Sequence, residues 1–151
     1  MARKNGIESN DKKISALLEE WLNRLSELTA MVKAWAEQLD CSTRLISKKM
    51  NDPRLGIYEA PALMMQKDAI RVLLDPVARF APGTDGIVDL YLMPGYDDIA
   101  TFYYSDGAWR LHHATSSDQR GDAASSAQRP LTKETLWQLL DEMVAHAPEP
   151  L

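Results

Sequence analysis

Apolar residues in the first third of the chain form one ladder. Ile14, Leu18, Trp21, Leu25, Leu28, Val32, Trp35 and Leu39 follow in steps of 4, 3, 4, 3, 4, 3 and 4. That alternation gathers them on one face of an α-helix and repeats with a heptad period. No Gly or Pro interrupts residues 7–52. The pattern weakens at Ser42, resumes at Ile46 and stops before Asn51, Asp52, Pro53 and Gly56, which are turn formers. The spacing predicts a helical segment over 12–52. As one helix, residues 12–50 would be roughly 55–60 Å long at ~1.5 Å per residue. A break near Asp40 to Ser42 would turn it into a helical hairpin. Residues 1–11 are polar and read as a flexible N-terminus.

The period changes in the middle. "AIRVLL", "VARFA", "GIVDLYLM", "IATFYY" and "AWRLHHA" are short runs rich in β-branched and aromatic residues. Between them stand "DP", "PGTDG", "PGYDD" and "SDG", whose Gly, Pro and Asp residues suit tight turns. Short connections make neighbouring strands antiparallel. Residues 60–114 are therefore expected to form an antiparallel meander of four or five strands. In "SDG", Gly107 is expected to take the left-handed turn position. Residues 115–131, mostly small and polar, read as a flexible linker. Residues 132–146 then predict a C-terminal helix. Thr132 is its N-cap, Leu131 and Leu136 stand at staple positions, and Leu136, Leu140 and Met143 form its stripe. The expected fold is α+β, one domain, with this helix packed on the sheet.

Two features of the ladder bear on function. In heptad register Leu18, Leu25, Val32, Leu39 and Ile46 occupy a, and Ile14, Trp21, Leu28 and Trp35 occupy d. Tryptophan at d is too bulky for a two-stranded seam. Leu17, Leu22, Met31, Ala36 and Leu45 widen the face, which suits a bundle or a helix lying on a sheet. A helix of ~55 Å would also overhang a sheet of short strands, which spans roughly 15–20 Å. Surplus apolar surface of that size marks an interface. Ile14, Leu18, Trp21, Leu25, Leu28, Val32, Trp35 and Leu39 are therefore the expected partner-binding residues, for another protein or a second copy.

Composition narrows the remaining chemistry. The 151-residue chain carries a net charge of −5, which gives no support to bulk nucleic-acid binding. Cys41 is the single cysteine, so neither an internal disulfide nor a cysteine cluster for zinc can form, and a reducing compartment fits. With no leader-like stretch at the N-terminus and no run near the ~20 apolar residues of a membrane span, a cytoplasmic protein is expected. The segment 44–54 is locally basic, with Arg44, Lys48, Lys49 and Arg54 against Asp52. It complements a helix C-terminus or contacts nucleic acid or an acidic partner.

Candidate catalytic residues are few. His112 and His113 are neighbours in an expected strand, so their rings point to opposite faces and cannot share a metal. The third histidine, His146, is in the last helix. Asp97 and Asp98 sit in a turn, where aspartates cap backbone N–H groups, although a carboxylate pair can also hold a divalent cation. Asp89 shares a strand face with Ile87, Tyr91 and Met93, while Val88, Leu90 and Leu92 occupy the other. Two apolar faces predict a central strand covered on both sides. A buried Asp89 would then need a partner such as Arg71, Arg79 or Arg110. A nuclease template would need a D/E-x-K on the next strand, and no Lys occurs between Lys67 and Lys133. No P-loop, G-x-G-x-x-G or G-x-S-x-G is present.

Tyr91, Tyr96, Phe102, Tyr103 and Tyr104 could pair across strands in the core or line a pocket. The open edges of a meander could accept another strand. The expectation is a non-enzymatic interaction subunit with no cofactor and no metal, docking through its N-terminal helix. Nucleic-acid or regulatory binding through 44–54 is the second reading. A ligand or catalytic pocket around Asp89, Tyr91 and His112 or His113 is the third.

Overall fold

The computed structural model of the chain describes residues 2–113 and 128–146. Its order is α1 (Ala2–Gln38), β1 (Ser42–Asp52), β2 (Gly56–Lys67), β3 (Ile70–Ala78), β4 (Ile87–Met93), β5 (Asp97–Ser105), β6 (Ala108–His113), β7 (Arg129–Pro130) and α2 (Lys133–His146). The strands pair in sequence order as one seven-stranded antiparallel meander. The α+β class and both terminal helices are as the sequence indicates. The sheet has more strands than the expected four or five, because it begins at Ser42 and gains β7 from the segment read as linker. The rest of that segment, residues 115–127, lies outside the described residues.

The expected helical segment over 12–52 is corrected at both ends. Helix α1 includes residues 2–11, read from their polarity as a flexible end. It then stops at Gln38 through a Schellman closure. Asp40 takes φ 63°, the Asp40 N–H donates to Glu37 O, and the Cys41 N–H donates to Ala36 O. Aspartate fills a position where glycine is the usual signal, so the stop is easily overlooked. Residues 42–52 then form the outer arm of a hairpin, paired without a break from Ser42↔Gln66 to Asp52↔Gly56. Eleven residues of ladder outweigh the weak helical tendency of "STRLISKKMND". The tip closes with Asp52 Oδ1 accepting from the N–H groups of Arg54 and Leu55.

Both helices cover one face of the sheet. From α1 come Trp21, Leu25, Leu28, Val32 and Ala36, and from α2 come Leu136, Leu139, Leu140 and Met143, all buried. They meet Leu63, Met65, Val72, Leu74, Val88, Leu90, Leu92, Ala100, Phe102 and Leu111. The buried stripe on α1 runs 28, 32, 36 rather than 28, 32, 35. A helix that does not supercoil drifts off a heptad pattern, so the phase passes from Trp35 to Ala36. Trp35 is left half-buried at the flank, where its carbonyl accepts from Trp137 Nε1 on α2 at 3.3 Å.

Local chemistry fixes the other ends. Between β5 and β6, Asp106 and Gly107 both take positive φ, 51° and 79°, which is the two-residue turn whose twist matches a hairpin. At the start of α2, Thr135 N–H donates to Thr132 Oγ1 and Thr132 N–H donates to Thr135 Oγ1. This is a capping box with threonine in place of the usual Glu or Gln.

The candidate binding face

The expected partner-binding ladder is turned inward. Trp21, Leu25, Leu28 and Val32 are fully covered by the protein's own sheet and hairpin. Leu18, Trp35 and Leu39 pack against the same core, as does Leu17, and of the eight ladder residues only Ile14 is exposed. The long hairpin β1–β2 extends the surface under the helix from Leu17 onward, while Asn10 to Ala16 remain exposed. Trp21 Nε1 donates to Tyr58 Oη on that hairpin at 3.0 Å.

The other face of the sheet carries what the helices leave uncovered. Cross-strand registers define its rows. One row is Met64 and Leu73 with Tyr91. The next is Asp75, Asp89, Thr101 and His112. A third is Ile87, Tyr103 and Arg110. Met93 and Arg71 close one end. No described element lies over these residues. Met64, Leu73, Ile87, Tyr91, Met93 and Tyr103 are each partly exposed. The expectation that β4 is covered on both sides is thus corrected among the described residues: helices cover its Val88, Leu90 and Leu92 face alone.

Asp89 is the polar centre of this face, and its partners differ from those expected. None of Arg71, Arg79 and Arg110 pairs with it. Tyr91 Oη donates to Asp89 Oδ2 at 2.9 Å, and Thr101 Oγ1 donates to Asp89 Oδ1 at 3.1 Å. Asp75 stands directly across from Asp89 in the ladder. Two carboxylates in that position repel, and Lys48 relieves it, its Nζ donating to Asp75 Oδ1 at 2.7 Å and to the Pro76 carbonyl. Burial first, then the bond to Asp89 and the charges of Asp89 and Asp75, push the Tyr91 phenol well above its ordinary value. Burial and Asp89 push Tyr103 in the same direction. Both phenols are neutral at physiological pH.

A bulge opposite Tyr91 separates the Leu90↔Ala100 and Leu92↔Asp97 pairs. It leaves Ile99 exposed. Tyr96, in the preceding turn, packs edge-on against Tyr91 with ring centroids 5.3 Å apart.

The other candidates separate. His112 is on the open face and His113 in the core, where its Nδ1 lies 2.9 Å from Glu142 Oε2 of α2. Asp97 is exposed at the start of β5, and the side chains of Asp98 and His146 lie outside the described residues. Among the described residues no three or more His, Cys, Asp or Glu residues converge as metal ligands. Residues 44–54 do not form one basic patch, nor do they cap a helix. Arg44, Lys48 and Lys49 lie along β1, where Lys48 binds Asp75 and Lys49 stands across from Glu59, while Arg54 is in the hairpin turn, over the Phe80 ring at 4.0 Å. Cys41 lines a small apolar cavity of about 50 Å³ with Leu39, Met65, Val72 and Leu140. Burial raises its thiol pKa, which disfavours a nucleophilic thiolate.

The alternation along β4 places Asp89 and Tyr91 on one face without showing that this face lies open. The signal was present: "GIVDLYLM" is apolar on both faces while helices are available for only one side. No described helix is long and apolar enough to cross a membrane. No family model, curated protein or solved structure matches the chain.

Proposed function

We propose that the protein is a non-enzymatic protein–protein interaction subunit whose docking surface is the open face of the sheet. One observation carries this reading. An antiparallel sheet with helices on one side ordinarily turns polar residues to water on the other. Here that side presents Met64, Leu73, Tyr91 and Met93 on one flank of the Asp75, Asp89, Thr101 and His112 row and Ile87 with Tyr103 on the other. Partly exposed apolar side chains gathered on both flanks of one polar row, with no described element over them, mark an interaction site. The N-terminal helix, which the sequence favours as the docking element, spends its stripe on the protein's own core.

Sedimentation velocity of single charge variants tests the reading. Ile87→Glu, on the open face, should abolish self-association, and Ile14→Glu, on α1, should leave it intact. Association sensitive to Ile14→Glu and indifferent to Ile87→Glu would return the docking site to the helix.

A further inference from the structure

The charges on the open face suggest what covers it. Asp89 receives two hydroxyl donors but no cation among the described residues. Arg110 lies two strands away on β6, exposed, and has no hydrogen-bond or ion-pair partner among the described residues. Between them runs β5, with Thr101 across from His112 and Tyr103 across from Arg110. The face therefore holds an unmatched anion and an unmatched cation on either side of one strand. Such a surface is complementary to itself. In an isologous contact, residue i meets residue j and j meets i.

We propose that the open face is a homodimer interface, in which a second copy stacks face to face about a twofold axis along β5 and Asp89 of each copy receives Arg110 of the other. This rests on the docking surface proposed above and names its occupant. An axis between the two sheets and along β5 lays β4 of one copy over β6 of the other. Asp89 then faces the segment from Arg110 to His112 of the second copy. Sheets stacked in this way lie ~10 Å apart, a gap that an arginine and an aspartate span together. Tyr103 and Thr101 come to the axis, and Ile87, Tyr91 and Leu73 fill the space between the sheets. With the axis along β5, strands β4, β5 and β6 overlap along most of their length and β3 meets only the two residues of β7, which at ~4.8 Å per strand and ~3.3 Å per residue gives a face on the order of 400 Å² in projection. A side-chain surface carries more accessible area than its projection, which places the face toward the small end of specific interfaces, below ~600 Å² per partner, as expected of a concentration-dependent dimer.

Charge reversal tests the pairing. The full-length chain and the variants Asp89→Arg and Arg110→Asp are compared by analytical ultracentrifugation, and the two variants are then mixed in equal amounts. Each variant alone should dimerise at least tenfold more weakly than the parent. The mixture should form a one-to-one heterodimer in native mass spectrometry, because both crossed pairs are then restored. Recovery on mixing also shows that the variants fold. Asp89→Asn keeps an acceptor for Thr101 or Tyr91 and should weaken the dimer without abolishing it. A parent dimer indifferent to both reversals, or variants that do not rescue each other, would overturn the pairing alone. A parent that stays monomeric at every concentration would overturn the docking surface as well.

Discussion

Gly86 and Trp21 meet in close contact between helix and sheet. A methyl group on Gly86 would lie 2.3 Å from Cζ3 and 2.9 Å from Cη2 of the Trp21 ring. The ring has little room to yield, since it is fully buried and its Nε1 is bonded to Tyr58. The sheet side is equally committed, because Tyr104 N–H donates to Gly86 O and Asp85 N–H donates to Tyr104 O. Gly86→Ala is therefore an overpacking change, with an expected cost of about 1–3 kcal/mol. That corresponds to roughly 2–12 °C in Tm for a chain of this size. Trp21→Phe alone leaves a gap and removes the donor to Tyr58. In the double variant the shorter ring makes room for the methyl group, so the two losses should fall short of additivity by about 0.5–3 kcal/mol. Urea denaturation followed by far-ultraviolet circular dichroism, at one protein concentration, reads all four species, with unchanged m-values showing that only stability moved. Additive losses, or a neutral Gly86→Ala, would refute the contact.

The remaining predictions address other parts of the structure. Leu28→Glu puts a charge at a fully buried position and should cost more than the roughly 2–5 kcal/mol of a Leu→Ala change; it should remove the cooperative melt of the sheet and not merely a contact with a partner. Glu142→Ala removes an acceptor facing His113 and should cost about 1–3 kcal/mol in chemical denaturation, loosening α2 from β6. Tyr91 and Tyr103 ionise above the ordinary tyrosine value of 10.0 in the folded chain, so their contribution is full below that pH. As pH rises past it the unfolded chain loses protons that the folded chain retains, and stability falls. Stability against pH should therefore slope downward above about 10 and flatten in Tyr91→Phe. Cys41 should react with a disulfide reagent more slowly than a small free thiol, and at the free rate once the chain is unfolded in urea.

The sequence made some elements legible and concealed others for identifiable reasons. Turn chemistry was direct, as at Asp106–Gly107 and Thr132, because those residues act on their own backbone. The ladder showed the helix and, from Trp21 to Val32, the face it buries. It did not show what the face meets, since a stripe that fits a second helix fits a sheet equally well. The end of the helix was hidden because Asp40, not a glycine, adopts the left-handed conformation, and because Ile46 happens to continue the heptad phase. Strand β1 depends on pairing with β2, a contact between residues as far apart as Ser42 and Gln66, to which local periodicity is blind. Asp89 was visible as an anomaly of alternation. Its neighbours Thr101 and His112 are set by register, which only the assembled sheet reveals.

The measurement that separates the two candidate surfaces most directly is hydroxyl-radical footprinting of the full chain at low and high concentration, read residue by residue by mass spectrometry. Tyr91, Met93 and Tyr103 on the open face should become protected as concentration rises, while Ile14 and Leu17 on α1 oxidise at the same rate throughout. Protection confined to α1, with the open face unchanged, would contradict the proposed interface.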